Sequence, residues 1–329
     1  MKWVYLGKRL LIAALTILII ITINFFLVNS MPGDPLVNIL GDEEYYKIKN
    51  DNPEILEHIR EKYGLDENIF VRYGKYVKSI VTLDFGFSYV KKMPVLDVIR
   101  HRLHWTLVLA IPATILSALL GGWLGVKAGW KQGGLLDRIA TPTALFLNTL
   151  PTNCIAILFL SWFSYRLGWF PIAGVTSGGL HGLEKVVDVL WHMTLPLTIM
   201  VILRSSGNFI HMKSYMSKIK SEEYVLTAVS KGLSDQKVLR RHALKNCILP
   251  YLTIISMQFG SIVSGSVIIE TVFSWIGMGD LMNKSIASSD FPMMQFCFLM
   301  TAACSVLANL AADVLYVLID PRIREENAG

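Results

Sequence analysis

Charged side chains are scarce in this chain. They make up 17% of its 329 residues, where soluble chains carry about 25%, and the mean hydropathy is +0.48. That deficit excludes an ordinary soluble domain. Cysteine is sparse too. Cys154, Cys297 and Cys304 lie in apolar runs and Cys247 in a basic stretch. None has metal-ligand or redox spacing, so no disulfide framework is implied. The pattern G-x4-G-K-S/T is absent, so the chain has no P-loop for a nucleotide. No Ser–His–Asp, Cys–His or metal-hydrolase constellation is present, and the expectation is a protein that is not an enzyme. His101 and His104 stand three apart, but two imidazoles without a third ligand do not make a metal site.

Long apolar runs are what the chain has in abundance, several approaching the ~20 residues a membrane span needs. The sequence predicts an all-α membrane protein with six transmembrane helices. The first covers about 10–28 behind Lys2, Lys8 and Arg9. It is too long for a signal-peptide core and has no small-x-small cleavage site, so it reads as an uncleaved span. The others are expected at about 105–126, 139–165, 192–212, 250–273 and 293–319. This gives an N-terminal span in 1–29, an external helical region in 30–104 and a core in 105–329. Within the external region, Asn52-Pro53 opens a helix through Tyr63, a second helix covers Val71–Val81, and a third covers Val95–Leu103. Gly121 and Gly125 in the second span have the small-xxx-small spacing of close helix packing. Pro142, Asn148, Pro151 and Asn153 interrupt the third, which places it against protein or water.

Charge sets the orientation. Lys213, Lys218, Lys220, Lys231, Lys237, Arg240, Arg241 and Lys245 crowd the segment between spans four and five, while the short loops on the other side hold only Arg166, Lys185 and Lys284. Basic residues concentrate on the cytoplasmic side, so 213–249 is expected inside, with both termini. The long 30–104 loop is basic as well, but long segments translocate largely regardless of charge.

That cytoplasmic segment reads as helix, turn, helix. Glu222 and Glu223 suit a helix start, Gly232 a helix end, and Ser234 an N-cap with Asp235 in the following turn. Pro250 suits the first position of the next apolar segment. A DNA-binding helix-turn-helix would have the same outline, but this segment is short and fastened to the membrane at both ends, so no nucleic-acid partner is expected.

The spacing E-x4-A-x3-G-x15-I-L-P, carried by Glu223, Ala228, Gly232, Ile248, Leu249 and Pro250, resembles the coupling loop of ABC importer permeases. Tyr224, Thr227, Ala228, Lys231, Gly232 and Leu233 fill the pattern Y-x-x-T-A-x-x-K-G-L of the branch that carries dipeptides, oligopeptides or nickel and its chelates. The resemblance extends over nearly the whole chain, through PGDP, YGLDEN, RYGKYV, DFGFS, ETVF, GMG and the DPRIR tail. The second small residue of the family's EAA signature is absent, since Val225 and Leu226 follow Tyr224, and so is a proline usual after the GLD element.

The resemblance implies a permease subunit that docks Glu223, Tyr224, Thr227, Ala228, Lys231, Gly232 and Leu233 on a separate ATP-hydrolysing subunit. Its implied partners are a second homologous permease, two ATP-binding cassette subunits that hold the ATP and magnesium, and an external solute-binding protein. No cofactor is expected in this chain. Candidate lining for a translocation path comprises Asn148, Asn153, Arg204, Gln258, Ser261 and Ser264. A charge in mid-span costs ~2.5–3.5 kcal/mol and needs a partner or water; for Arg204 that partner is sought in Glu270 or Asp313. The competing class is an ion-coupled secondary transporter or channel, which inverted repeats would favour. No such repeat is seen.

Overall fold

The computed structural model describes residues 2–30, 35–62, 66–88, 90–262 and 267–319. Among them the chain is helical, and its one β-bridge joins Phe87 to Pro94. The described residues fall into two units, one running to Trp105 and resuming at Gly277–Val306, the other Thr106–Ile276 with residues from Leu307 onward.

The first unit begins with α1 (Lys2–Asn29), an apolar helix that leaves Leu11, Ile19 and Ile23 exposed, as a lipid-facing helix does. Three short helices follow: α2 (Pro35–Leu40), α3 (Asp42–Asp51) and α4 (Pro53–Lys62). They close over a small core of Leu36, Tyr45 and Leu56. The amphipathic α5 (Ile69–Thr82) is capped by Asn68, which accepts from the Phe70 amide, and ends at a left-handed Leu83. It lies along α1 through polar contacts that an apolar helix must satisfy internally. Asn24 donates to the Tyr76 hydroxyl at 2.8 Å and to the Gln295 carbonyl at 2.7 Å, the Thr22 and Tyr73 hydroxyls hydrogen-bond at 2.8 Å, and Arg72 reaches Asn29. Burial pushes the Tyr76 phenol up to about 12. Later in the chain come α14 (Met278–Ala287) and α15 (Phe291–Ile319). The turn after α5 packs on their junction: Phe85 meets Phe296 with ring centres 3.8 Å apart, and Ser88 bonds Asp290.

The second unit carries the bundle. The helix expected at Val95–Leu103 and the second span form one 36-residue helix, α6 (Val95–Trp130), with Pro112 inside it. The third span is broken. α7 (Leu135–Thr149) meets α8 (Thr152–Phe159) at 99°, with Leu150 and Pro151 extended between them, and a π-helical turn continues α8 to Arg166. Pro151 removes the amide that would have continued α7 and disfavours helix in Leu150 before it. α9 (Gly182–Lys220) overshoots the expected fourth span at both ends. It runs into α10 (Glu223–Ser230), α11 (Asp235–Val238), a π-helical turn at Leu239–Ala243, and α12 (Leu244–Gly260). Pro250 lies inside α12 rather than opening a new segment. α13 is Val267–Val272, where the fully buried Glu270 accepts from Thr106 at 2.8 Å.

By length and apolarity, four described helices qualify as spans, Gly7–Asn29, Val95–Trp130, Gly182–Lys220 and Phe291–Ala311, or five if the bent α7–α8 pair is one span. The fifth expected span would comprise α12 from Pro250 onward and α13. Residues 263–266 between them, Ser264 included, lie outside the described residues, as do the PGDP residues up to Asp34, Gly64, Leu65 and the DPRIR tail.

Glycine lets α6 and α9 touch backbone to backbone. A Cβ on Gly121 would stand 2.5 Å from the Ser205 carbonyl, one on Gly125 2.8 Å from Met212 Cβ, and one on Gly129 2.7 Å from the Lys213 carbonyl. The four-residue repeat puts all three on one face of α6, extending the expected Gly121–Gly125 pair by a turn.

Candidate coupling site

The loop between α9 and α12 is built on its own apolar core. Val225 and Ala228 from α10, Val238 from α11, and Ala243, Cys247, Tyr251 and Ile255 from the turn and α12 pack on Met212 and Met216 of α9 and Trp130 of α6. The local signals are those a helix needs. Glu222 is extended and precedes α10, with Glu223 in its first turn. After Ser230 the chain reverses at Gly232, whose φ of +74° lies in the left-handed region that glycine enters without strain. The Ser234 carbonyl receives the amides of Lys237 and Val238, but its hydroxyl makes no capping bond. The expected N-cap is therefore a backbone turn only. Asp235 is engaged elsewhere, accepting the Trp130 indole N–H at 2.9 Å.

Along α10 the coupling residues divide by face. Ala228 is 4% exposed and faces the loop core. Tyr224, Leu226 and Val229 are exposed large residues, joined by exposed Glu223, Thr227 and Lys231. Leu233 is half-buried against the core. Tyr224 is held in place, since its hydroxyl accepts from Asn246 Nδ2 at 2.7 Å. The exposed face of α10 is thus a ridge with apolar and polar members, standing on a packed base. Cys247 lies in that base, ahead of the fifth apolar run, and burial pushes its thiol up to about 12.

The proposed path residues do not form one group. Arg204 donates to Thr114 Oγ1 at 2.8 Å. One turn on, Asn208 and Gln258 are in contact, with the Gln258 amide donating to Asn208 Oδ1 at 2.6 Å, and Asn208 also reaches Ser117 at 3.4 Å. These residues make a polar seam shared by α6, α9 and α12. Asn148 and Asn153 are exposed on either side of the α7–α8 break, and Ser261 is exposed at the end of α12. The side chain of Asp313 lies outside the described residues, and Glu270 accepts from Thr106. Among the described residues no group of three or more His, Cys, Asp or Glu could hold a metal.

Sequence reasoning missed Thr114, Ser117, Asn208 and above all Trp130. Thr114 and Ser117 are small hydroxyls inside an apolar run, which ordinarily bond their own helix. Trp130 beside Lys131 has the look of an interfacial aromatic. Its link to Asp235 spans 105 positions, beyond any local pattern.

Residues 104–325 match the family described as binding-protein-dependent transport system inner membrane component, and residues 2–110 match the N-terminal region of the same membrane component. The chain is 31% identical over 320 residues to the oligopeptide transport system permease protein AppB of Bacillus subtilis, covering 97% of this chain and 98% of that one. It is 30% identical over 342 residues to the dipeptide transport system permease protein DppB of Alkalihalophilus pseudofirmus, covering 97% and 99%. To the glutathione transport system permease protein GsiC of Escherichia coli K12 it is 31% identical over 320 residues, covering 97% and 98%.

Proposed function

This chain belongs to the binding-protein-dependent transport system inner membrane component family, as a multi-pass ABC importer permease and not an enzyme, and from that premise we propose that its substrate is a short peptide. The observation that carries the proposal is the near-complete coverage of three permeases named for oligopeptide, dipeptide and glutathione. Substrate comes from an external binding protein, and energy from ATP held on separate subunits. In our reading the assembly has two permeases and two ATP-binding cassettes. This chain supplies six spans with both termini in the cytoplasm, α12 from Pro250 onward and α13 forming the fifth.

The chemistry asked of the chain is mechanical. The exposed ridge of α10, with Glu223, Tyr224, Thr227 and Lys231, and the adjoining Gly232–Leu233 turn seat on the ATPase subunit, while Ala228 holds the ridge to its base. When the ATPase dimer closes on ATP, the ridge moves with it and selects one of two packings of the bundle, so that access alternates. The path follows the polar seam of Arg204 and Gln258, with Asn148, Asn153, Ser261 and Ser264 as its further members. A guanidinium there suits a substrate with a free carboxylate.

The test is uptake by membrane vesicles holding the whole assembly, with ATP supplied or withheld on the cytoplasmic side and a labelled di- or tripeptide presented on the purified binding protein. Uptake should need ATP and ignore a protonophore. Persistence without ATP, with collapse under protonophore, would replace the reading by an ion-coupled transporter. Calorimetry of the binding protein showing affinity for a nickel chelate and none for peptides would overturn the substrate class.

A further inference from the structure

We infer that Trp130 is a positioning residue that transmits displacement of the coupling ridge into the bundle. The inference rests on the docking reading of α10 given above. Trp130 closes the C-terminal end of α6 and is 4% exposed within the loop core. Two bonds hold it, one from each side of α10. Lys220, in the last turn of α9, donates to the Trp130 carbonyl at 2.6 Å and places its ammonium 5.2 Å from the indole ring centre. Asp235, opening α11, accepts the indole N–H at 2.9 Å.

The end of α6 is a good place for such a grip. Terminal helix carbonyls lack intrahelical partners and attract cations, and an aromatic face attracts them too. A buried indole N–H needs an acceptor, and a carboxylate makes the stronger, charge-assisted kind of bond. Residues 223–230 are therefore bracketed by two attachments to one residue. A push on the ridge reaches α6 through Lys220 and Asp235 together.

From Trp130 the displacement has a rigid route. α6 is continuous back to Thr114, about 24 Å at 1.5 Å per residue, and Thr114 and Ser117 are the seam partners of Arg204 and Asn208. At Gly121, Gly125 and Gly129 α6 lies so close to α9 that a Cβ would stand 2.5–2.8 Å from its atoms, so the two helices are in direct contact along this length. The Tyr251 hydroxyl bonds the Ala118 carbonyl at 2.6 Å, which brings α12 along.

The experiment uses the whole assembly with its binding protein and reads the ratio of receptor-stimulated to basal ATP hydrolysis. Trp130→Phe keeps an aromatic ring but has no N–H. Its stimulation ratio should fall about five- to tenfold, at the lower end of ordinary coupling free energies. Asp235→Leu should match it, and the double variant should do no further harm, because both remove one bond. Asp235→Asn retains an acceptor oxygen and should restore the native ratio. An unchanged ratio in Trp130→Phe overturns the inference. So does loss of the ATPase subunit from that variant, which would make Trp130 merely structural, or equal damage from Asp235→Asn. Leu226→Arg, on the exposed face of α10, tests the docking reading separately. If it keeps both the ATPase subunit and stimulation, the docking reading fails. If it sheds the subunit while Trp130→Phe stays fully stimulated, only the Trp130 inference fails.

Discussion

The ammonium of Lys213 lies 2.5 Å from the carboxylate of Asp137. Thr141 completes the site, accepting from Lys213 at 2.7 Å and donating to Asp137 at 2.7 Å. Asp137 sits in the first turn of α7, where a negative charge is favoured, and Lys213 lies between Met212 and Met216, the two α9 members of the loop core. The pair therefore ties the broken helix to the C-terminal half of α9.

Removing one partner should cost stability without unfolding the helices it joins. Both groups are partly exposed, so Lys213→Met is expected to lose of order 1 kcal/mol, seen as a drop of a few degrees in the Tm of the purified complex. The exchange Asp137→Lys with Lys213→Asp should recover part of it. An unchanged Tm in Lys213→Met would show that the pair contributes nothing.

The α6–α9 contact makes a sharper prediction. Gly121→Leu drives a side chain into the Ser205 carbonyl and Asn208 Cβ. Overpacking costs ~1–3 kcal/mol even where neighbours can shift, and here one neighbour is backbone. Folded complex should be nearly lost, as read by size-exclusion yield. Gly74→Ala, with nothing within 4 Å of the new carbon, is the control and should express normally. Equal yields would refute the close contact.

How far the chain could be read in advance depended on the range of the interaction. Local patterns carried well. The helix expected at Val71–Val81 is Ile69–Thr82 and the one from Pro53 ends at Lys62, because caps, turns and periodicity are short-range signals. Gly121 and Gly125 revealed their contact by spacing alone. Pro250 misled, because in a bundle the carbonyl a proline frees finds other partners and the helix continues. Ser234 misled because its backbone, not its hydroxyl, serves α11. Trp130–Asp235, Asn208–Gln258 and Asp137–Lys213 join residues 50 or more positions apart. No local rule links such pairs.

The proposed orientation rests on the lysines and arginines of the loop. With all four native cysteines replaced, Ser217→Cys and Asn50→Cys should label oppositely with an impermeant maleimide on intact cells. Asn50 is exposed on α3 and should react, while Ser217 should react only after permeabilisation. Labelling of Ser217→Cys from outside would invert the topology.

Cys247 reports on the loop core directly. The thiolate is the reactive form, and with the thiol raised to about 12 almost none is present at pH 7–9. In the folded complex Cys247 should resist maleimide across that range and react once the protein is denatured. Ready labelling at pH 7 would mean the core of Met216, Val225 and Cys247 is not closed.

Gly232 offers the most direct test of the proposed coupling, because two effects of a side chain there can be separated. Its φ of +74° costs a non-glycine residue roughly 1–2 kcal/mol, with asparagine among the few that tolerate it. A β-branched residue fares worst. Apart from its two chain neighbours, no described residue comes within 4 Å of the site a Cβ would take, so a clash with more distant atoms must come from a docked partner. Gly232→Val should leave the spans folded and inserted but abolish receptor-stimulated hydrolysis and ATP-driven uptake. Gly232→Asn relieves the backbone and keeps the added bulk. If Asn restores uptake, the turn's geometry is what the ATPase subunit needs; if Asn fails as Val does, the bare surface is. Native uptake in Gly232→Val would remove this turn from the coupling route altogether.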